Sequence, residues 1–365
     1  MIRTEEFQIN MGPQHPSTHG VFRAVLTMDG EAVNRVDPMI GYLHRGIEKI
    51  CESRNYSQII PLTDRLDYLS AMSNNIVYCM AVEKLMGLEI PDRAIVLRML
   101  IAELQRIASH MIFIGTMGID VGAVSVFFYT MREREHIMNL FEKLCGARLI
   151  YNFMRIGGLA HDLPENFEKE TIEFIDIMEK KVDEYNDLLS ENHIFKNRMQ
   201  GIGLISKETA LSYALSGPVG RASDVNYDVR KNDPYLWYHK LNFTVPVFVQ
   251  GDCFSRYMLR IIEVKESVKI IRQCLDMLKP GSVRVQVPRV IKPPVGQVYA
   301  HVENPRGDLG VFIVSDGTAN PYRVKFRAPS FVNLSVISEA SKNLKIADLV
   351  LTLGSLDPVF GEVDR

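Results

Sequence analysis

The stretch IVLRMLIAELQRIASHMIFIGTMGIDVGAVSVFFYTM, residues 95–131, decides the fold. Ile95, Leu97, Leu100, Ile101, Leu104, Ile107, Ala108 and Met111 recur on a broad helical face, and Arg98, Glu103 and Arg106 are the few charges among them. A helix so apolar is surrounded by other protein. From Met111 to Met131 the run is nearly long enough to cross a bilayer. Asp120 sits in its middle, and Gly115, Gly118 and Gly122 interrupt it. A carboxylate at mid-membrane is costly, so the segment reads as a buried helix–turn–helix inside a bundle. No other segment approaches spanning length, and any contact with a membrane would run through partners.

Around this core the helical pattern extends from Leu43 to Leu278. Phe167 to Leu189 places Ile172, Ile175, Met178, Val182, Tyr185 and Leu189 on one side and alternating charges on the other, a solvated or partner-facing surface. Val247 to Leu278 reads as a further long helix, ended by Lys279-Pro280-Gly281. Gly217-Pro218 and Asn232-Asp233-Pro234 mark loops.

Both ends of the chain change period. Val21–Met28 and Glu31–Val36 flank Asp29-Gly30, a hairpin signal, after an opening strand and the irregular MGPQHPSTHG. Val283–Val287, Val298–Val302, Val311–Val314 and Tyr322–Phe326 alternate like strands, with turns at Asn304-Pro305-Arg306-Gly307 and Asp316-Gly317. One or two short helices and the tail GSLDPVFGEVDR close the chain. The expectation is a mainly helical α+β fold in a single domain over 1–365: N-terminal β over 1–40, a helical bundle over 43–278, a β region over 283–330, and C-terminal helices and tail over 331–365.

Composition narrows the function. With 365 residues the chain can bury a large core. Lys plus Arg is 42 and Asp plus Glu is 44, so the basic excess of a general nucleic-acid binder is missing. Five cysteines stand singly and no CxxC pair exists, so the chain offers no cysteine-rich metal or iron–sulfur site of its own. An odd count without a signal peptide suits a reducing, cytoplasmic setting. No P-loop, GxGxxG or GxSxG occurs, so nothing points to an NAD or flavin site in this chain.

Several residues are candidates for chemistry. His15 and His19 lie in a Gly/Pro-held loop. His44 and Glu48, four apart, would share a helix face, as a surface pair or as metal ligands. Arg65, Asp67 and Tyr68 form a polar cluster entering an apolar helix, where the phenol can donate a hydrogen bond to a carbonyl oxygen or simply face solvent. Asp120 must be paired, hydrogen-bonded or neutral in its apolar run. It either orients a histidine or caps a helix beginning near Val121. Arg132-Glu133-Arg134-Glu135-His136 reads as a solvated or network-forming turn, and Ser315–Arg327 as a basic structural hairpin.

GPQHPSTHG (12–20), GYLHRGIEK (41–49), DRLDYLS (64–70) and LGSLDPVFGEVDR (353–365) resemble the 49-kDa, or D-subunit, family of complex I, the NADH-quinone oxidoreductase. RIASHM, GIDVGAVSVFFY, RIGGLAHDLP and SDGTANPYRVKFRAPSF agree in order and spacing, so the resemblance spans essentially the whole chain. The family is similar to the large subunit of nickel–iron hydrogenases, which implies a hydrogenase-large-subunit-like helical bundle with small N- and C-terminal β elements. Hydrogenases hold their metals with an early and a late CxxC pair. The corresponding regions here are Arg65–Ser70 and Asp357–Glu362, with no cysteine in either. Nickel needs soft thiolates, so no metal site is expected, and the vacated cavity is open to an organic headgroup.

The resemblance implies that this guest is a quinone, reduced by two electrons and two protons. His19 and Tyr68 would hydrogen-bond its two carbonyls, and Asp120 would pair with His19. Arg45, and Arg65 near it, would lie beside a 4Fe–4S cluster held by a neighbouring iron–sulfur small subunit. The chain would bind no cofactor by itself. Its partners would be that small subunit, other peripheral-arm subunits and one membrane-arm subunit at the quinone entrance. It would sit peripherally at the cytoplasmic face of the cell membrane within a proton-pumping translocase. An alternative is a related ferredoxin- or deazaflavin-dependent complex, or a membrane-bound hydrogenase-like assembly. Many relatives carry a histidine where this chain, in Gly146-Ala147-Arg148-Leu149-Ile150, has Ile150. Any proton-coupled redox role of that histidine is therefore not implied here.

Overall fold

The computed structural model describes residues 6–13 and 20–365. His15 and His19 lie outside the described residues. The antiparallel sheet β1 (Glu6–Met11), β2 (Arg23–Asp29) and β3 (Ala32–Met39) opens the chain, in the order β1-β2-β3. The expected turn at Asp29-Gly30 is present, with Asp29 paired to Ala32. This sheet does not stand alone. Val33 and Asn343–Leu344 exchange backbone hydrogen bonds of 2.8 Å, and Leu26, Val36, Leu349, Leu353 and Phe360 share one apolar core. The two ends of the chain are therefore packed together.

Short helices α1 (Ile47–Glu52) and α2 (Tyr56–Thr63) lead to α3 (Ala71–Met86), α4 (Asp92–Asp120) and α5 (Val124–Cys145). The helix–turn–helix read from 95–131 is present: α4 runs on through Asp120, and Gly122, at φ +90°, turns the chain. Among the described residues no helix is long and apolar enough to cross a membrane. Asp120 ends α4 and Ala123 precedes α5, so Asp120 is not the cap of the second helix. Arg132–His136 is not a turn but the interior of α5, where Glu133 is buried. The turn residues stand ten positions earlier, and mixed charges at helical spacing are compatible with a half-buried helix.

A two-stranded ribbon, β4 (Met154–Arg155) and β5 (Gly158–Leu159), precedes α6 (Phe167–Tyr185), which continues as a π-helical turn over Asn186–Ser190. Then come α7 (His193–Met199), α8 (Lys207–Ser212), α9 (Gly217–Arg221), α10 (Val229–Asn232) and α11 (Cys253–Met277). Gly217-Pro218 opens α9 rather than a loop, with proline in the first turn, where its missing N–H costs nothing. The helix expected from Val247 starts at Cys253. Gly251 sits at φ +68° against Ile205, and Asp252 caps the helix by accepting from Ser255 N at 2.7 Å. The cap, not the apolar run before it, sets the start.

The second sheet is β6 (Gly296–Asn304), β7 (Gly307–Ser315) and β8 (Arg323–Arg327), laid on α3. Val283–Val287 is not a strand of it. That segment makes only an isolated bridge, Gly158 to Arg284, and prolines at 288, 293 and 294 keep it out of a ladder. Helices α12 (Pro329–Leu334), α13 (Ile337–Ala340), α14 (Ile346–Leu356) and α15 (Phe360–Asp364) finish the chain. GSLDPVFGEVDR is no free tail: Asp357 turns at φ +56° between α14 and α15, and Phe360 to Asp364 are buried.

Candidate functional site

Tyr68 stands in the short link between α2 and α3, and its neighbours fix that link. Asp67 accepts from Leu69 N at 3.1 Å and from Arg306 Nη1 at 3.0 Å. Asp67 is fully buried, and the Tyr68 phenol is half-buried beside it. Burial first, and then the charge of Asp67, push the phenol above its ordinary value, so it keeps its proton at neutral pH.

Arg306 arrives from the second sheet. β6 and β7 close a two-residue turn, Pro305-Arg306, between paired Asn304 and Gly307. The tip docks tightly, since a Cβ on Gly307 would come within 2.5 Å of Ser216 Oγ and one on Gly217 within 2.5 Å of the Arg306 carbonyl. The guanidinium donates to Asp67, to Ser109 Oγ at 2.9 Å and to Asp357 Oδ1 at 3.3 Å. Two sequence regions far apart, 65–70 and 357–362, are thus joined by one buried cation.

The α15 helix completes the join. A Cβ on Gly361 would stand 2.5 Å from the Leu66 carbonyl and 3.3 Å from Tyr68 Cε1, so only glycine admits this approach. Glu362, also buried, accepts from Ser330 N at 2.9 Å. Burial and the nearby Asp67 push its carboxyl up to about 8. Arg45 Nη2 donates to the Arg65 carbonyl at 2.7 Å and the Gly361 carbonyl at 3.0 Å. Arg45, Arg65 and Tyr68 are therefore neighbours, and burial followed by Arg65 lowers the Arg45 guanidinium from its ordinary value.

His44 and Glu48 do not share a helix face, because α1 begins only at Ile47. His44 Nδ1 lies 2.7 Å from the Asp364 carbonyl, whereas Glu48 accepts from Lys325 Nζ and Phe326 N at 3.0 Å each. The basic hairpin thus contacts the rest of the protein through Glu48 and Glu52. Asp120 is half-buried at the end of α4, and its expected partner His19 falls outside the described residues. The residue after His19 is placed: Gly20 lies against Phe360, a Cβ there coming 3.1 Å from that ring, and Phe22 stacks on Phe360 at 4.9 Å. Gly20 therefore stands beside Phe360, two residues before Glu362 on α15.

The family model for the 49-kDa subunit of respiratory-chain NADH dehydrogenase matches residues 120–295 and 286–365. This chain belongs to that family.

Relatives agree along its whole length. It is 52% identical to the D subunit of the NADH-quinone oxidoreductase of Desulforamulus reducens over 363 residues, 100% of this chain and 99% of the relative. It is likewise 52% identical over 365 residues to the D subunits of the same enzyme in Bacillus cytotoxicus and Bacillus anthracis, covering 100% of each chain. It is one component of a complex I assembly, with other subunits of that complex as partners.

Sequence reasoning missed Arg306. Its only signal was an arginine at the tip of a tight turn between apolar strands, where a solvated polar residue is the ordinary occupant. It also left Glu362 without a role, since Glu362 stood in what read as a tail.

Proposed function

We propose that this protein supplies the quinone-reducing face of its complex, at the junction of 65–70 with 357–362. The observation that carries the reading is the Tyr68 phenol, held protonated beside a buried acid–arginine cluster, where a hydrogenase would carry thiolates. Tyr68 donates to one quinone carbonyl and His19 to the other. As electrons arrive each oxygen becomes anionic, and a donor already in place stabilises that charge and then surrenders its proton. Asp120 orients His19. Arg45 and Arg65 present cations to the 4Fe–4S cluster of the neighbouring small subunit, which raises that cluster's potential. Electrons reach the quinone from that cluster, and this chain binds no cofactor alone. The entrance is shared with one membrane-arm subunit, the protein lies peripherally at the cytoplasmic face of the membrane, and quinone reduction drives proton translocation.

The test is photolabelling of the assembled complex with an azido-quinone, followed by peptide mapping of this protein. Label on the peptides holding Arg65–Ser70 or Asp357–Glu362, competed by unlabelled quinone, is the expected result. Competable label confined to other segments contradicts the reading.

A further inference from the structure

Behind Tyr68 the charges do not balance. Asp67, Asp357 and Glu362 meet Arg306 and Arg260, which makes three acids against two guanidiniums. Asp357 bridges both cations, with Oδ1 at 3.3 Å from Arg306 Nη2 and Oδ2 at 3.8 Å from Arg260 Nε. Asp67, Glu362, Arg306 and Arg260 are at most 1% exposed. Fully ionised, all three acids lean on Arg306, because Arg260 is shared between Asp357 and Glu263, with buried Arg256 beside it. A buried group in that position takes up a proton instead.

The hydrogen bonds indicate where the proton goes. Asp67 accepts from a backbone amide and from Arg306, and Asp357 accepts from Arg306. Glu362 is held by Ser330 alone, through its amide on Oε1 and its hydroxyl, while Oε2 has no partner among the described residues; Asp357 Oδ2 also lacks a hydrogen bond but lies 3.8 Å from Arg260 Nε. The charged groups facing Glu362 are Asp67 from the 64–70 link and Arg306 from the hairpin tip. α12 offers it the Ser330 amide and hydroxyl, neither of them charged. Asp67 in turn faces Asp357, and Arg260 from α11 faces Asp357 and Glu263. Burial and a like charge raise both Asp67 and Glu362, Asp357 acting on the first and Asp67 on the second, while Arg306 opposes the rise in each.

We propose that Glu362 and Asp67 share one exchangeable proton, and that this proton restores the Tyr68 phenol after it has protonated the reduced quinone. The proposal rests on the quinone reading above. In the first step the Tyr68 O–H bond breaks and a quinol O–H bond forms, the two electrons having come from the partner subunit's cluster. In the second no electrons move. The Glu362 Oε2–H bond breaks, the proton passes by way of Asp67, and the phenolic O–H bond re-forms. Glu362 is left as a carboxylate and refills from solvent.

The experiment is infrared difference spectroscopy of the purified complex, with quinone-reductase assays on the same preparation. In the wild type, the carbonyl stretch of a protonated carboxylic acid is present near neutral pH and bleaches during turnover with quinone. Glu362→Gln, which imitates the protonated side chain, lacks that band. Its kcat falls at least about tenfold with KM unchanged, as expected for loss of a positioned proton source. The alkaline limb of its pH–rate profile also moves, which a purely structural role would not cause. Glu362→Asp keeps a carboxyl, shifts the band and recovers part of the rate, and it takes over both readouts if the glutamine variant does not assemble. An unchanged band, or an unchanged kcat and pH profile, in the assembled variant overturns the proposal. A fully active Tyr68→Phe would instead sink the quinone reading beneath it, whereas an inactive Tyr68→Phe beside a fully active Glu362→Gln removes only the proton store.

Discussion

Glu103 and Glu362 are both buried carboxyls, 0% and 1% exposed, yet the protein treats them in opposite ways. Glu103, in the middle of α4, accepts from Arg106 Nε at 3.0 Å, Arg230 Nη1 at 3.2 Å, Ser267 Oγ at 2.7 Å and Tyr238 OH at 2.8 Å. Burial alone would raise it, but Arg106 and Arg230 outweigh that and hold it below the usual carboxylate range. Glu362 receives only the amide and hydroxyl of Ser330, and burial and Asp67 push it up to about 8. Nearby Glu263 follows the first pattern. Arg221 and His110 hold it well below the usual range against burial, and His110 Nε2 lies 2.8 Å from its Oε2. Depth alone therefore does not decide the charge of an interior acid; the donors and the like charges around it do, and Glu303, which accepts from Arg221 Nη1 at 2.8 Å, is still pushed up to about 7 by burial and Asp228. One set of charges braces the helical bundle, and the other lies beside Tyr68, where a movable proton is useful.

The largest effect that sharpens this contrast is on stability. Glu103→Gln takes from Arg106 its partner at 3.0 Å, while Arg230 keeps Asp228 at 2.7 Å, and is expected to cost on the order of 3 kcal/mol, as breaking a buried ion pair does. Glu362→Gln removes no counter-charge, keeps an acceptor for Ser330 N and ends the need to hold a proton above the ordinary carboxyl range, so at neutral pH it is expected to cost no stability. Scanning calorimetry of the purified complex compares the two, and equal losses would erase the distinction.

Next comes the pH dependence. Between about 4.5, the ordinary value, and about 8, the folded chain holds the Glu362 proton while the unfolded chain has released it. Stability contributed by this group therefore falls as pH rises across that window, by roughly 1.4 kcal/mol per pH unit. Glu362→Gln flattens the slope and Glu103→Gln does not flatten it, which a pH series of unfolding midpoints measures.

The smallest effect lies at the surface. His301 sits between Asp308 at 2.9 Å and Asp233 at 2.8 Å, and first Asp308, then Asp233 against burial, raise it. Its stabilisation is full below the ordinary histidine value and is lost as pH rises through the raised one. Asp233 is 75% exposed, so Asp233→Ala should cost only about 0.5 kcal/mol in the same scans.

The contrast also shows what the sequence made legible. Period alone located α4 and its turn, because a helix buried on nearly all sides needs apolar residues at nearly every position. Tyr68 was legible as a polar residue at the entrance of an apolar helix. Arg306 and Glu362 were not, because Arg306 meets partners 239 and 51 positions away and Glu362 meets Ser330 32 positions away. Hairpin geometry and the fit of Gly361 under Tyr68 create that meeting, and neither leaves a local pattern. The start of α11 was misplaced for a related reason: the apolar residues before Gly251 look helical, but a single capping aspartate sets the boundary.

The most direct measurement deletes the same atom in both regions. Tyr68→Phe and Tyr238→Phe each remove one phenolic oxygen, and each is assayed for quinone reduction per assembled complex and for thermal midpoint. The account predicts that Tyr68→Phe loses most of its turnover with little change in midpoint. Tyr238→Phe keeps its turnover and loses about 1–3 kcal/mol of stability, since Glu103 forfeits a buried donor. Full turnover in an assembled Tyr68→Phe complex would contradict the account.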